Sequence, residues 1–170
     1  MSTTPTATPP AAARVAERFP EELVSSALFL LKRLGMRAKD QSFVAYEKAD
    51  LHPYHHAILA VLDKGSRETQ GAIADALGYD KGQLVGLLDE LEDAGLIVRQ
   101  RDQADRRRHV VEMTTAGRKA LERARKLSTR LEDEFFATLD EKERAQLHAL
   151  LVRLAEQHLP HCRVAARTRI

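Results

Sequence analysis

Residues 69–95 read TQGAIADALGYDKGQLVGLLDELEDAG, two short helical patterns separated by a tight turn. Thr69 is placed to cap the first helix, and Gly78 is placed to end it. Asp80 and Gln83 have the spacing of a capping box at the start of the second helix. The apolar residues that face inward are Ile73, Ala74, Leu77, Leu84, Leu87, Leu88 and Leu91. A helix, a tight turn and a second helix form a helix-turn-helix.

The segments after this pair predict a β-hairpin. LIVRQR (96–101) and HVVEMT (109–114) are rich in β-branched residues and are separated by a polar run. The expected fold class is therefore mainly α, a winged helix-turn-helix with a two-stranded β wing and flanking dimerisation helices. The regions are a disordered tail over 1–13, an N-terminal dimerisation helix region over 14–50, the winged helix over 51–114 and C-terminal dimerisation helices over 115–170.

Helices flank this unit on both sides. One is expected to run from Pro20 to about Phe43, with Gly35 as a weak point. A short helix capped by His52 follows it, and two more helices begin near Thr114 and at an Asp140–Glu143 capping box. Their apolar stripes exceed what one small winged helix needs for its core, so we expect a homodimer that buries them.

Composition excludes several classes of protein. The chain has 170 residues, a net charge of +2 and one cysteine, Cys162, which rules out an internal disulfide and fits a reducing cytoplasm. No signal peptide, membrane-length apolar run or catalytic motif is recognised, so we expect no membrane partner, no cofactor and no enzymatic activity. Cys162 has two interpretations, a redox switch or a bystander, and the second is preferred.

Positive charge is concentrated in the polar run of the hairpin. Residues 99–109 contain five arginines against two aspartates, a net +3 within a chain whose total is +2. Such a loop beside a helix-turn-helix predicts contact with DNA phosphates and with a narrow minor groove, whereas an isolated arginine-rich turn is usually a solvated tip. A dimer would read a pseudo-palindromic site in double-stranded DNA.

The second helix of the motif would read base edges. Gln83 is suited to pair with adenine, or serves only as a capping residue, and Lys81 is suited to guanine or phosphate. Gly82 and Gly86 allow the backbone to approach DNA closely, or they indicate weak readout. Thr69 completes this expected set of DNA contacts.

Histidines suggest two metal sites, and both have a simpler interpretation. His52 and His56 have a helical i, i+4 spacing that suits zinc, but His52 also occupies a cap position. His158, His161 and Cys162 form a second cluster after the last helix. Histidines at the surface or in the dimer interface are the preferred interpretation, so no metal is expected.

An effector pocket is expected where the first long helix meets the next one. The candidate ligand-binding residues are Phe43, Tyr46, His52, Tyr54 and His55. Aromatic rings and imidazoles suit a small aromatic or anionic compound, although the same residues would also fill such a junction without any ligand.

The chain resembles the MarR-type winged-helix transcriptional regulators over about residues 51–117. The matching segments are Leu51-His52-Pro53, Ile73-Ala74-Asp75-Ala76-Leu77-Gly78, Asp89-Glu90-Leu91-Glu92-Asp93-Ala94-Gly95-Leu96-Ile97, Asp105-Arg106-Arg107 and Met113-Thr114 with Gly117. No single segment is decisive, but their order is specific.

The resemblance implies a dimeric, sequence-specific repressor or activator that releases DNA when a small molecule or an oxidant binds, and we expect a repressor. By position Arg107 would enter the minor groove, and Arg106 and Arg108 would contact phosphates. Asp105 would orient these arginines, or is an ordinary turn residue. The glycines depart from the family's usual polar recognition helix. The alternative function is therefore a winged-helix protein-interaction module that has weak or lost operator binding.

Overall fold

The computed structural model describes residues 19–63, 68–101 and 109–159. Within these ranges the elements are α1 (Glu21–Val24), α2 (Ala27–Lys48), α3 (Pro53–Leu62), β1 (Glu68–Thr69), α4 (Gln70–Leu77), α5 (Lys81–Asp93), β2 (Ile97–Arg101), β3 (His109–Met113), α6 (Thr115–Phe135) and α7 (Glu141–His158). The chain divides into two compact units, Met1–Lys39 and Asp40–Ile170.

Helices α1 and α2 differ from the predicted single helix in where it is interrupted and where it ends. The expected single helix from Pro20 is interrupted after α1, because Ser26 Oγ accepts a hydrogen bond from the Phe29 N–H at 3.3 Å and so begins a new helix. The predicted weak point was misplaced, since α2 passes through Gly35 without a break and ends at Lys48 instead of about Phe43.

The core of the second unit lies where α3, α4, α5 and α6 meet the sheet. Leu88 and Leu91 of α5 are completely buried, as are Ile58 of α3 and Ile73 of α4. The remaining members of this cluster are Leu59, Leu62, Ala74, Leu84, Leu87, Ile97, Val111, Ala120 and Leu121. Six of the seven residues predicted to face inward from the helix-turn-helix are buried members of this core, and the seventh, Leu77, is partly buried against it.

The predicted hairpin is confirmed. β2 and β3 pair antiparallel, with Ile97 opposite Met113 and Arg101 opposite His109. A two-residue strand, β1, pairs with the other edge of β3 and gives the order β1-β3-β2. This third strand extends the two-stranded wing, and the mainly helical winged-helix fold class is confirmed.

A close backbone contact joins the sheet to α6. Thr114 Oγ1 donates to the Gly95 carbonyl at 2.8 Å and accepts from the Gly117 N–H at 3.0 Å, so it caps α6, which begins where a helix was predicted to start. A Cβ on Gly117 would lie 2.1 Å from the Leu96 carbonyl oxygen. Glycine at this position therefore allows the start of α6 to lie against the start of β2.

Candidate nucleic-acid interface and cavity

The helix-turn-helix forms as the local sequence predicts. Thr69 Oγ1 accepts from the Ala72 N–H at 3.2 Å and caps α4. Gly78 ends α4 with a left-handed φ of 66°, a backbone conformation that suits glycine. Asp80 then caps α5, accepting from the N–H groups of Gly82 at 2.8 Å and Gln83 at 3.2 Å.

The capping box predicted at α5 is only half formed. Among the described residues, no return bond joins the Gln83 side chain to the Asp80 N–H, whereas both halves of the Asp140–Glu143 box are present. Gln83 is exposed, together with Lys81, Gly82 and Gly86. The capping interpretation of Gln83 is therefore wrong, and its amide is not used to hold the helix start.

The carboxyl end of α5 is bound to the wing by Arg99. The Arg99 Nε donates to Glu92 Oε2 at 2.7 Å, its backbone N–H donates to Glu92 Oε1 at 2.9 Å, and its Nη1 lies 2.7 Å from Asp89 Oδ1. These hydrogen bonds raise the pKa of Arg99 and lower the pKa of Glu92. Arg99 is therefore paired within the protein, so the net charge of the wing overstates the positive charge available to DNA.

The tip of the wing lies outside the described residues. Asp105, Arg106, Arg107 and Arg108 all fall there, as do His161 and Cys162 of the second histidine cluster. The described strands end at the exposed pair Arg101 and His109, so the predicted arginines follow directly from a paired hairpin.

A cavity of about 550 Å³ lies beside α3 and α6. Three of the five predicted ligand residues line it: Phe43, His52 and His55. The other lining residues are Glu47, Asp50, Leu51, His56, Leu59, Ala94, Leu96, Ala120 and Ala124. The alanines of α6 were missed because their sequence pattern indicates only a helix face that packs against something.

The two tyrosines predicted to bind the ligand do not line the cavity but contact residues that do. Tyr46 is 3% exposed, and its hydroxyl lies 2.6 Å from His56 Nδ1. Burial raises the pKa of the Tyr46 hydroxyl. The ring of Tyr54 contacts Phe43, His52 and Tyr79 at centroid distances of 5.7, 5.1 and 5.5 Å. Both tyrosines therefore support the residues that line the cavity.

Hydrogen bonds set the proton positions on two of the imidazoles. His52 Nδ1 accepts from the Tyr54 N–H at 3.2 Å, so the proton of the neutral ring is on Nε2. His55 Nε2 lies 2.9 Å from Glu90 Oε2 on α5, and because a carboxylate only accepts, Nε2 is the donor. Burial, more than the neighbouring His52, lowers the pKa of His55 although Glu90 opposes this effect. Burial and Arg125 lower the pKa of His56.

Residues 19–63, 68–101 and 109–159 offer neither a cluster of metal ligands nor a helix suited to crossing a membrane. No group of three or more His, Cys, Asp or Glu side chains there is arranged to hold a metal ion. None of the described helices has the length and apolar character that crossing a bilayer requires.

The amino-acid sequence is similar to those of transcriptional regulators. The MarR family model matches residues 49–108. A putative transcriptional regulatory protein for the hcr operon of Thauera aromatica is 36% identical over 105 residues, which cover 62% of this chain and 63% of that protein. Transcriptional regulator HosA of Escherichia coli O157:H7 is 34% identical over 109 residues, which cover 64% of this chain and 79% of HosA.

The fold is also similar to those of solved transcriptional regulators. The transcriptional repressor CouR bound to a 23-mer DNA duplex is 34% identical, with a TM-score of 0.74 over 82% of this chain and 99% of CouR. CouR from Rhodococcus jostii RHA1 bound to p-coumaroyl-CoA is 29% identical, with a TM-score of 0.66 over 80% of this chain and 96% of that protein. With its winged helix-turn-helix and these relatives, the chain belongs to the MarR family of transcriptional regulators.

Proposed function

We propose that this protein is a homodimeric, sequence-specific DNA-binding repressor. The observation that carries the proposal is the start of α5, which is capped by Asp80, held on a buried leucine face and exposed along its other side. A similar chain, CouR, has been solved on a DNA duplex. Such a helix enters the major groove with its N-terminal residues toward the bases.

Exposed leucines support the dimer. In the first unit Leu28 is 77% exposed and Leu34 is 54% exposed, and in the second Leu150 of α7 is 54% exposed. Large apolar side chains that recur along helix faces are usually covered by a partner, and a second copy with the same helices would cover them. The resulting two-fold symmetry would set two α5 helices on a pseudo-palindromic site.

The proposed DNA contacts are Thr69, Lys81, Gly82, Gln83 and Gly86 near α5, and Arg106, Arg107 and Arg108 at the wing, with Asp105 orienting the arginines. The carboxyl end of α5 supports this arrangement. Asp93 adds negative charge beside Asp89 and Glu90, which are themselves paired with Arg99 and His55, and this charge would repel phosphates and so favour entry by the other end. Arg107 would enter the minor groove, as the family resemblance implies.

The first test is fluorescence anisotropy on DNA from the region upstream of the protein's own gene, against scrambled DNA and over a range of salt. Arg107→Ala should weaken specific binding about tenfold. The matched control is Arg130→Ala, which removes an exposed arginine from α6 and should leave binding unchanged. Equal, weak binding of both DNAs by all three proteins would instead favour the interaction module suggested by the bare Gly82 and Gly86.

The cavity is proposed as the effector site for an aromatic compound with an anionic group. Its wall combines the Phe43 ring and small apolar residues with three imidazoles and two carboxylates, those of His52, His55, His56, Glu47 and Asp50, and the anionic group is placed against the imidazoles. The p-coumaroyl-CoA bound by CouR of Rhodococcus jostii combines an aromatic acyl group with the anionic phosphates of CoA, and we extend that ligand class to this chain.

In the second unit a side-chain hydrogen bond joins the cavity wall to the DNA-reading helix α5. His55 lines the cavity and donates to Glu90 of α5. A ligand that draws the His55 side chain toward itself would therefore break this hydrogen bond to α5. Such an effector changes the DNA affinity only if it binds the protein with the His55–Glu90 hydrogen bond and the protein without it with different affinities.

The effector test adds p-coumaroyl-CoA to the protein–DNA complex, with CoA alone as the control. Release of DNA by the thioester and a reduced response in His55→Gln support the proposal, whereas the matched variant His148→Gln, on the exposed side of α7, should respond normally. Because an anion beside a neutral imidazole favours its protonation, the ligand should bind more tightly as the pH falls from 8 to 6. An unchanged DNA affinity would contradict this ligand class.

A further inference from the structure

The DNA-reading half of α5 exposes one branched apolar side chain. Val85 is 44% exposed, whereas the nearest leucines before and after it in the sequence, Leu84 and Leu87, are 1% and 7% exposed. At 100° per residue, Val85 lies on the same face as Lys81 one turn before it and Asp89 one turn after it. Neither the core nor the cap of α5 explains why a valine occupies this position.

The surface on one side of Val85 is formed by the backbone of two glycines. Gly82 and Gly86 are both exposed, and a Cβ added to Gly86 would meet no atom within 4 Å. At Gly82 the nearest atom to such a Cβ is the capping Asp80 Oδ1, at 3.1 Å. A helix with a bare backbone surface can lie closer to its partner, and a short side chain such as that of Val85 can then reach the partner.

The chemistry of Val85 matches one feature of the major groove. Valine in a helix is held in one strongly preferred rotamer, so its methyl groups are presented without a large loss of side-chain entropy. The C5-methyl of thymine is the apolar group that the major groove displays, and it is recognised by apolar contact. Lys81, on the same face as Val85, and Gln83, beyond the two glycines, are also exposed and supply polar contacts.

We propose that Val85 is a specificity-determining residue that packs on the C5-methyl of a thymine, with Gly82 and Gly86 allowing α5 to approach that base. The inference rests on the proposed function, because it requires α5 to enter the major groove. Of the two interpretations of Gly82 and Gly86, the inference favours close approach of the backbone to DNA. Base recognition by α5 would then depend partly on an apolar contact.

The experiment first selects preferred sites from a random duplex library with the full chain. Each thymine of the selected site is then replaced by uracil, which lacks only the C5-methyl, and affinity is measured by anisotropy. For the wild-type protein, one thymine in each half-site should show a loss of about threefold to fivefold, the size expected for one buried methyl group. Val85→Ala should bind the thymine and uracil sites equally, and Val85→Ile should discriminate as the wild type does.

The matched control is Val98→Ala, a second exposed valine located on β2, which should keep the wild-type discrimination. Circular dichroism checks that each variant is folded. If uracil is tolerated at every position of a selected site, or if Val85→Ala still distinguishes thymine from uracil, the inference is overturned and the proposed function stands. If no sequence is enriched at all, the proposed function is overturned together with it.

Discussion

Arg99→Ala should lower the stability of the winged helix, because Arg99 joins β2 to the carboxyl end of α5. The substitution removes the bonds of the guanidinium to Glu92 and its 2.7 Å contact with Asp89. Exposed ion pairs contribute about 0.2–1 kcal/mol each, and a guanidinium that is only 23% exposed and binds two carboxylates lies toward the upper end. The expected loss is roughly 1–2 kcal/mol, or about 3–6 °C in Tm for a chain of this size.

Thermal denaturation of Arg99→Ala, Glu92→Gln and the double variant measures this loss and separates the pair from its surroundings. The double variant should be more stable than the sum of the single losses predicts, by about 0.5–1 kcal/mol. Arg101→Ala is the matched control, since Arg101 is an exposed arginine on the same strand. Additive losses, or an equal loss in Arg101→Ala, would refute the reasoning.

The same pair has a defined pH dependence. Arg99 lowers the pKa of Glu92 below its ordinary value of 4.5, so the stabilisation is fully present above that value and is lost as the pH falls through the lower, folded-state pKa. The difference in stability between the wild type and Arg99→Ala should therefore be constant between pH 8 and pH 6 and should shrink under acidic conditions. A difference that stays constant at low pH would exclude an ionised Glu92 as the partner.

Three further predictions concern folding. Gly117→Ala should destabilise the fold by about 2–3 kcal/mol, because its Cβ would lie 2.1 Å from a backbone oxygen, whereas the control Gly86→Ala has open space and should stabilise it by about 0.5–1 kcal/mol, both measured by urea denaturation. Asp80→Ala should cost about 1 kcal/mol through loss of the α5 cap, and Asp80→Asn should cost much less, in the same assay. Tyr46→Phe should cost about 1–2 kcal/mol, since it leaves a half-buried His56 Nδ1 without its hydroxyl partner, and a wild-type unfolding curve would contradict this bond.

Helix starts and ends follow from residues within one turn of each other, and here sequence was sufficient. Thr69, Thr114 and Asp140 accept bonds from N–H groups three residues ahead, and Gly78 is left-handed where the first motif helix must end. Each interaction is local, so its spacing in the sequence is also its geometry. The failures at this level were the Ser25–Ser26 break, the expected weak point at Gly35, the end of the first long helix near Phe43, and the Gln83 half of the capping box.

The cavity and the pairing of charges depend on residues that are distant in the sequence. His55 meets Glu90, 35 residues away, and Arg99 meets Glu92 and Asp89 across the turn from α5 to β2. The alanines of α6 that line the cavity become a wall only when α6 packs beside α3. A sequence pattern indicates that a residue is buried or charged, but which partner it meets is set by the packing of whole helices around the shared core. The winged helix could therefore be predicted from its caps and apolar periodicity, whereas the pairing of Arg99 and the link from cavity to α5 emerged only from the folded chain.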